Sequence, residues 1–214
     1  DAATIRWVRG FSGAQRAIVG DVRSANDRRS AANNRALIAR MMETAQAAAG
    51  VSGVGIIGQM RFLEALRGEH PDCAPAPSAH FNALLGRNHM AEVRHLFAVG
   101  RTMPQTRSVA RIASAIFEVW IDPETRYTRR PRSLWNRNGR KVHEIEATAH
   151  PDSRAECIRR QIAERAQEQG AHRARPLNRG ANDPVMITIM AGDTAPALPV
   201  EVVDLADVTP SPHE

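Results

Sequence analysis

The sequence predicts an α/β domain of three layers, in which helices cover both faces of a mainly parallel sheet. Short apolar runs that are typical of buried strands alternate along the chain with longer segments whose apolar residues recur at helical spacing. The run from Val185 to Met190 is apolar on both faces, as expected of a central strand in a parallel sheet. The chain has 214 residues, which suits one such domain, and we expect residues 1–214 to form a single domain.

The first part of the chain is expected to supply two strands and two helices. Residues 1–20 form a leading segment of ambiguous pattern, and a short strand is expected at 17–22. Residues 24–49 have a polar entry followed by a helix, because their apolar residues fall at helical spacing. The glycine-bounded run 53–58 predicts a buried strand, and a short helix follows it, marked by Phe62, Leu63 and Leu66.

The middle of the chain continues the alternation. Strands are predicted at 79–85 and 93–99, and the second of them ends at Gly100 and Arg101. A helix follows Pro104, because its apolar residues recur on one helical face. These residues are Val109, Ile112, Ala113, Ile116 and Phe117.

The last third is expected to form a long helix, a central strand and a tail. Ser153 and Glu156 have the spacing of a capping box and therefore open the helix. We interpret Asp152, Glu156 and Glu164 as helix capping and surface ion pairing. The acidic, proline-containing tail 195–214 is expected to add an edge strand at 199–204.

Residues 119–150 interrupt this rhythm with basic and aromatic residues. Asn138-Gly139 is a hairpin-turn signal, so we interpret the segment as an inserted basic hairpin or arm. Aromatic side chains among arginines suit base stacking and phosphate contacts. The alternative is a solvated loop whose aromatics cover the flank of the domain. The candidate nucleic-acid-binding residues of this segment are Arg129, Arg130, Arg132, Arg137, Arg140 and Lys141.

The composition restricts which binding partners and which cellular compartment are expected. The net charge is +6, and all but one of the 29 basic residues are arginine. Arginine pairs with phosphate through a planar fork, which favours a polyanionic partner, although a GC-rich genome would enrich arginine equally. The two cysteines are far apart in sequence, which indicates a reducing compartment, and we expect a cytoplasmic protein. The sequence predicts no membrane span and no metal site, because His70 and Cys73 lack a second ligand pair.

A basic segment follows the last long helix, from Gln169 to Arg179. Arginines that leave the end of a helix on a rigid α/β scaffold can stabilise charge during phosphoryl transfer. The alternative is a solvated basic turn between a surface helix and a core strand. Because ligands of parallel sheets bind beyond the carboxyl ends of the strands, we also expect a site in the loops after Ile57, Leu85 and Val99.

Several segments together resemble the C-terminal motor domain of superfamily 2 helicase-like and primase-helicase-like proteins of proteobacterial phage, plasmids and genomic islands. The resemblance covers most of the chain in scattered blocks, and it implies that residues 1–214 form a single RecA-like lobe. It lies at residues 31–35, 53–59, 79–86, 99–104, 130–132, 150–152, 161–162 and 169–179.

The resemblance implies roles for the basic segment. Arg173 and Arg175 match the first two arginines of the family's arginine-finger motif, and Asn178 and Arg179 match its closing pair. The resemblance therefore implies that Arg173, Arg175 and Arg179 are catalytic and that Gln169 and Asn178 contact the nucleotide. The sequence departs from the motif at two positions, His172 and Pro176.

Other positions are matched by their place in the motor. His80 and Asn88 lie in segments that resemble the part of the family that couples nucleotide state to the nucleic-acid track. Gly100 is expected to form a structural turn, with a phosphate contact by Arg101 as the less favoured alternative.

The sequence contains no phosphate-binding loop and no magnesium-holding acidic pair after a strand. The resemblance therefore implies half of a motor, in which ATP with Mg²⁺ is held by an N-terminal partner lobe or a longer polypeptide. The expected partner is nucleic acid, with DNA preferred over RNA. The alternatives are a non-catalytic nucleic-acid-binding module and an inactive remnant.

Overall fold

The computed structural model describes residues 2–20, 24–73, 76–84, 89–192, 196 and 198–210. Six strands form one parallel sheet. These strands are β1 (Ala3–Arg9), β2 (Val54–Gly58), β3 (Ser78–His80), β4 (His95–Val99), β7 (Val185–Met190) and β8 (Glu201–Asp204). Their order in the sheet is β3-β2-β4-β7-β1-β8. Helices lie on both faces, so the expected α/β/α fold of the RecA-like type is confirmed.

Three helices, α1 (Gln15–Ile18), α2 (Ala25–Ala49) and α3 (Met60–Glu69), cover one face. The helix α2 begins where the Ser24 side chain accepts a hydrogen bond from the Asp27 N–H, and it ends before Gly50. Its buried side chains pack with α3 and with strand residues that point to this face. Ile38, Met42, Phe62, Leu66, Val54, Phe97 and Met190 form the centre of this layer.

The opposite face is covered by the long helix α5 (Ser153–His172) and by an antiparallel hairpin, β5 (Thr128–Trp135) with β6 (Lys141–Ala149). Leu134, Ile145 and Ala147 of the hairpin pack in the same core cluster as Leu96, Ile187 and Ile189 of the sheet. The predicted inserted hairpin is therefore confirmed, and it lies on the sheet rather than projecting as an arm. A further helix, α4 (Thr106–Phe117), packs on α5 through Val109, Ala110 and Ala113.

The leading segment differs most from expectation. The pattern of residues 3–9 did not predict a strand, yet β1 is central and pairs with both β7 and β8. The strand expected at 17–22 is wrong over 17–18, which belong to the helical turn α1, and its residues 21 and 22 lie outside the described residues. The reason is tertiary: Asn34 and Arg35 of α2 donate hydrogen bonds to the carbonyls of Ala17 and Ile18, which removes those carbonyls from any ladder.

The remaining differences lie at element ends. The strand expected at 79–85 is shorter, because β3 ends at His80 and a 3₁₀ turn takes up Phe81–Ala83. The edge strand expected in the tail is confirmed as β8, followed by a short helix, α6 (Leu205–Val208). Among the described residues, no helix combines the length and the apolar character that crossing a bilayer requires.

Candidate functional site

The connections that follow β2 and β4 lead to opposite faces of the sheet. Strand β2 leads directly into α3 on the α2 face, whereas β4 leads through α4 to α5 on the other face. Neighbouring strands whose connections part in this way leave a crevice at their carboxyl ends, which is where open α/β sheets bind ligands. The topology therefore places a candidate site between β2 and β4.

A crevice of about 290 Å³ lies at that point. The Gln59 side-chain Nε2 donates a hydrogen bond to the Arg101 carbonyl oxygen at 2.6 Å, which ties the end of β2 to the end of β4. Arg61 is exposed and His80 is half-buried at the rim, so the lining offers positive and polar groups for an anionic ligand. The lining residues are Gln59, Met60, Arg61, His80, Phe81, Asn82, Thr102 and Met103.

The end of α5 lies beside the same edge of the sheet. The Gln167 Nε2 donates a 3.0 Å hydrogen bond to the carbonyl oxygen of Gly100, the residue that follows β4. One turn later, a Cβ built on Gly170 would contact Ile57 of β2 at 3.5 Å and Phe81 at 3.8 Å. The last turns of α5 therefore cross the carboxyl halves of β4 and β2.

We call residues 173–179 the arginine turn. The Arg173 N–H donates to the Gly170 carbonyl at 3.0 Å, and the Arg173 side chain is half-buried. Arg175 is exposed and has φ of 50°, the left-handed region that a non-glycine residue rarely adopts. Such strain costs about 1–3 kcal/mol and is concentrated at functional sites. Gln169, before the arginine turn, and Asn178, within it, are both exposed.

Arg179 ends the turn at the opposite edge of the sheet. Its guanidinium donates to the carbonyl oxygens of Ala91 and Val93, just before β4, and it pairs with Asp183, just before β7. Its side chain is 5% exposed. In this arrangement Arg179 holds the amino ends of two strands, and it would have to leave these partners to reach a nucleotide. Its catalytic role stays a prediction.

Of the six candidate basic residues of the hairpin, all but the half-buried Arg132 are exposed, and five of the six also contact protein groups. Arg129 donates to the Glu146 carbonyl at 2.9 Å, and Arg130 donates to the Pro151 carbonyl at 3.0 Å, while both side chains stay exposed together with Arg140. The other three side chains contact protein groups of the core or of the hairpin itself. Arg132 pairs with Glu156, Arg137 donates to the Ala3 carbonyl and Lys141 pairs with Glu144.

A buried ion network lies where the hairpin meets α5. It consists of Arg159, which is 1% exposed, between Glu156 and Glu164, with Arg132 and Arg160 at its edges. Burial acts to raise the pKa of Glu156, but hydrogen bonds from Arg159 and from the His150 N–H lower it below its usual value. The expected surface pairing of Glu156 and Glu164 is therefore wrong, although Asp152 does cap α5.

The remaining predicted residues have simple placements. His80 lies in the crevice, whereas Asn88 lies outside the described residues. Arg101 is buried, at 8% exposure, close to Tyr127, whose pKa burial raises to about 12. The Tyr127 hydroxyl donates to the Pro104 carbonyl at 2.7 Å. Within the described part of the chain, no three His, Cys, Asp or Glu side chains converge as a metal site requires.

Comparison with known proteins adds no assignment. No family model matches the chain, and neither a curated protein nor a solved structure matches it. The roles implied by the resemblance therefore stay predictions.

Proposed function

We propose that this chain is the second lobe of an ATP-dependent nucleic-acid helicase or translocase. The lobe has no phosphate-binding loop in its sequence, so ATP with Mg²⁺ is held by an N-terminal partner lobe. Arg173 and Arg175 act on the γ-phosphate from outside that nucleotide site. The crevice between β2 and β4 contacts the nucleic-acid track through Arg61 and His80.

One observation carries the proposal. Gln167 fixes the last turns of α5 to the carboxyl end of β4, and the arginine turn begins within two helical turns of that contact. The last turns of α5 therefore pack beside the ligand crevice. Arg175 follows Ala174, whose carbonyl oxygen accepts from the same Arg179 guanidinium that binds the Ala91 and Val93 carbonyls, so Arg175 lies toward the amino ends of the strands. Arginine suits the role because its guanidinium stays charged and pairs with phosphate oxygens in a fixed geometry.

The contacts of Arg179 refine this proposal. A guanidinium bound to three carbonyls and one carboxylate is already neutralised and satisfied. We therefore assign Arg179 to holding the shape of the arginine turn and leave the nucleotide contact to Arg173 and Arg175.

The test is DNA-stimulated ATP hydrolysis by the two-lobe protein with Arg173→Ala. An arginine finger contributes about 10³-fold or more to turnover, so we expect a loss of that order. The matched control is Arg29→Gln, an exposed arginine of α2 on the other face of the sheet. Near-normal turnover of Arg173→Ala would refute the finger role.

The second candidate is a nucleic-acid-binding module without catalysis. It is favoured by the exposed Arg129, Arg130 and Arg140 on the hairpin, next to the half-exposed Trp135. Guanidinium groups can bind backbone phosphates while an indole ring stacks on a base. The two candidates are compatible, because a motor lobe also has to bind its track.

A salt titration of single-stranded DNA binding tests this module on the chain alone. The triple variant Arg129→Gln, Arg130→Gln and Arg140→Gln should reduce the slope of log K against log salt by about 0.7 for each lost phosphate contact. The control triple Arg29→Gln, Arg40→Gln and Arg111→Gln removes equal charge from exposed helix positions. Equal slopes for the two triples would contradict the hairpin site. Single-stranded RNA of the same sequence tests the expected preference for DNA.

A further inference from the structure

The central strands carry a polar row on the face that α2 covers. Arg6 of β1 pairs in register with Thr188 of β7, and Thr188 pairs in register with Phe97 of β4. His95 lies two residues before Phe97 and therefore points to the same face. Other positions on this face are apolar core under α2, so the row is an exception within its layer. These apolar positions are Val8, Val99 and Met190.

A cavity of about 260 Å³ lies over this row. Met41 and Ala45 of α2, Val208 of α6 and Pro210 after α6 are among its lining residues. Its volume is near the lower end of ligand pockets, which span roughly 300–1,000 Å³, and it suits a molecule about as large as one substituted ring.

The floor of the cavity carries a positive charge. The Nε of Arg6 is buried and has no hydrogen-bond partner among the described residues. Asp207 is the acidic residue of the lining, and no ion pair joins it to Arg6 in the described part of the chain. Arg6 is half-buried, and a buried donor that lacks a partner costs free energy, so the site favours a ligand whose anionic oxygen accepts from Arg6.

Thr188 and His95 add neutral polar groups next to that charge. The His95 Nε2 lies 2.9 Å from the Thr188 Oγ1, and the His95 ring stacks on Phe97 with centroids 4.2 Å apart. Burial, aided by the charge of Arg6, lowers the pKa of His95 to about 4, so the ring is neutral at neutral pH. The cavity thus combines one cation with aromatic and aliphatic walls.

We propose that this cavity binds a small carboxylate carried on a flat apolar ring. Arg6 pairs with the carboxylate through its guanidinium fork, and the ring lies between Phe97 and Met41. The site is separate from the crevice at the carboxyl ends, since it is lined by α2 and α6. The inference does not depend on the motor function.

Methyl NMR with ¹³C-labelled methionine tests the proposal on the intact chain, with benzoate as the probe. The Met41 signal should shift on titration, whereas Met60 and Met103, which line the other crevice, should stay in place. Benzamide has the same shape without the charge and should bind about tenfold more weakly or worse. Arg6→Gln should weaken benzoate binding by a similar factor, and the exposed Arg29→Gln should not.

Four outcomes would overturn the proposal. These are an unchanged Met41 signal, a shift at Met60 in its place, equal affinity for benzamide, and inorganic phosphate that binds as well as benzoate. A thermal melt establishes that Arg6→Gln is folded. If that variant does not fold, the comparison of benzoate with benzamide on the unaltered chain decides.

Discussion

The buried ion network and the arginine turn both depend on arginine, but they place it in opposite environments. In the network, Arg159 is 1% exposed and lies between two carboxylates that are themselves buried. In the arginine turn, Arg175 is exposed on a strained, left-handed backbone. In the network, each charged group has a partner of opposite charge within the protein. In the arginine turn, the Arg175 guanidinium is exposed to solvent.

This difference shows how an arginine-rich chain is to be interpreted. The sequence has 28 arginines and one lysine, and the count alone assigns none of them to a function. Environment decides, because a guanidinium that already has carboxylate partners has little left to offer a phosphate. The two regions therefore predict opposite responses to substitution: loss of stability in the network and loss of function in the arginine turn.

The largest expected effect is on Arg159. The substitution Arg159→Met leaves Glu156 and Glu164 buried without their counter-charge, and it should lower the free energy of unfolding by about 3–5 kcal/mol. Arg160→Met is the matched control, because Arg160 pairs with the same Glu164 but its side chain is 43% exposed, and it should cost less than about 1 kcal/mol. Chemical denaturation checks both values. Equal losses would contradict the distinction between buried and exposed arginines.

The second largest effect is expected at Arg179, which belongs to the arginine turn but is buried like the arginine of the ion network. Arg179→Met removes charged hydrogen bonds to the carbonyls of Ala91 and Val93, and we expect a loss of about 2–3 kcal/mol in the free energy of unfolding. Arg173→Ala should cost clearly less. A free energy of unfolding for Arg179→Met equal to that of the parent chain would contradict the structural role of Arg179.

The ion network also predicts an acid-sensitive contribution to stability. The folded pKa of Glu156 lies below its ordinary value of 4.5, so its stabilisation is complete above that pH and is lost as pH falls further. Denaturation below pH 4.5 should therefore show a shallower loss of stability in Glu156→Gln than in the parent chain. Glu64→Gln, an exposed substitution on α3, is the control. A parent-like slope in Glu156→Gln would contradict the prediction.

The smallest expected effect sharpens the assignment of strain to the arginine turn. Arg175→Gly relieves the left-handed conformation, so it should be more stable than Arg175→Ala by about 1 kcal/mol. Thermal melts of the two variants measure the difference. Both variants remove the guanidinium, so both should lose the same catalytic function in the two-lobe protein. If only one of them lost activity, the effect would come from backbone shape rather than from charge.

The sequence predicted the parts of the fold that follow from local periodicity. The strands β2, β4 and β7 and the helices α2, α4 and α5 were predicted because their apolar residues repeat at strand or helix spacing. The central strand β1 was missed, since Arg6 and Arg9 interrupt its apolar pattern. Its place between β7 and β8 depends on pairing with segments far along the chain.

The candidate sites also divide into those that a local rule predicted and those that depend on tertiary structure. The crevice between β2 and β4 was predicted from the rule that ligands bind at the carboxyl ends of parallel strands. The burial of Arg159 was missed, because charged residues in a helix usually face solvent. The positions of Glu156 and Arg159 beside the apolar Ala155 and Ala163 could have indicated it. No local signal could have joined Arg6, His95 and Thr188, which meet only when the sheet forms.

The kinetics of ATP hydrolysis by the two-lobe protein with Arg173→Ala test the central claim most directly. A guanidinium that acts on the phosphoryl group in flight stabilises the transition state and not bound ATP. We therefore predict that kcat falls by about 10³-fold while the KM for ATP stays close to that of the parent protein. A normal kcat, with or without a raised KM, would contradict the account.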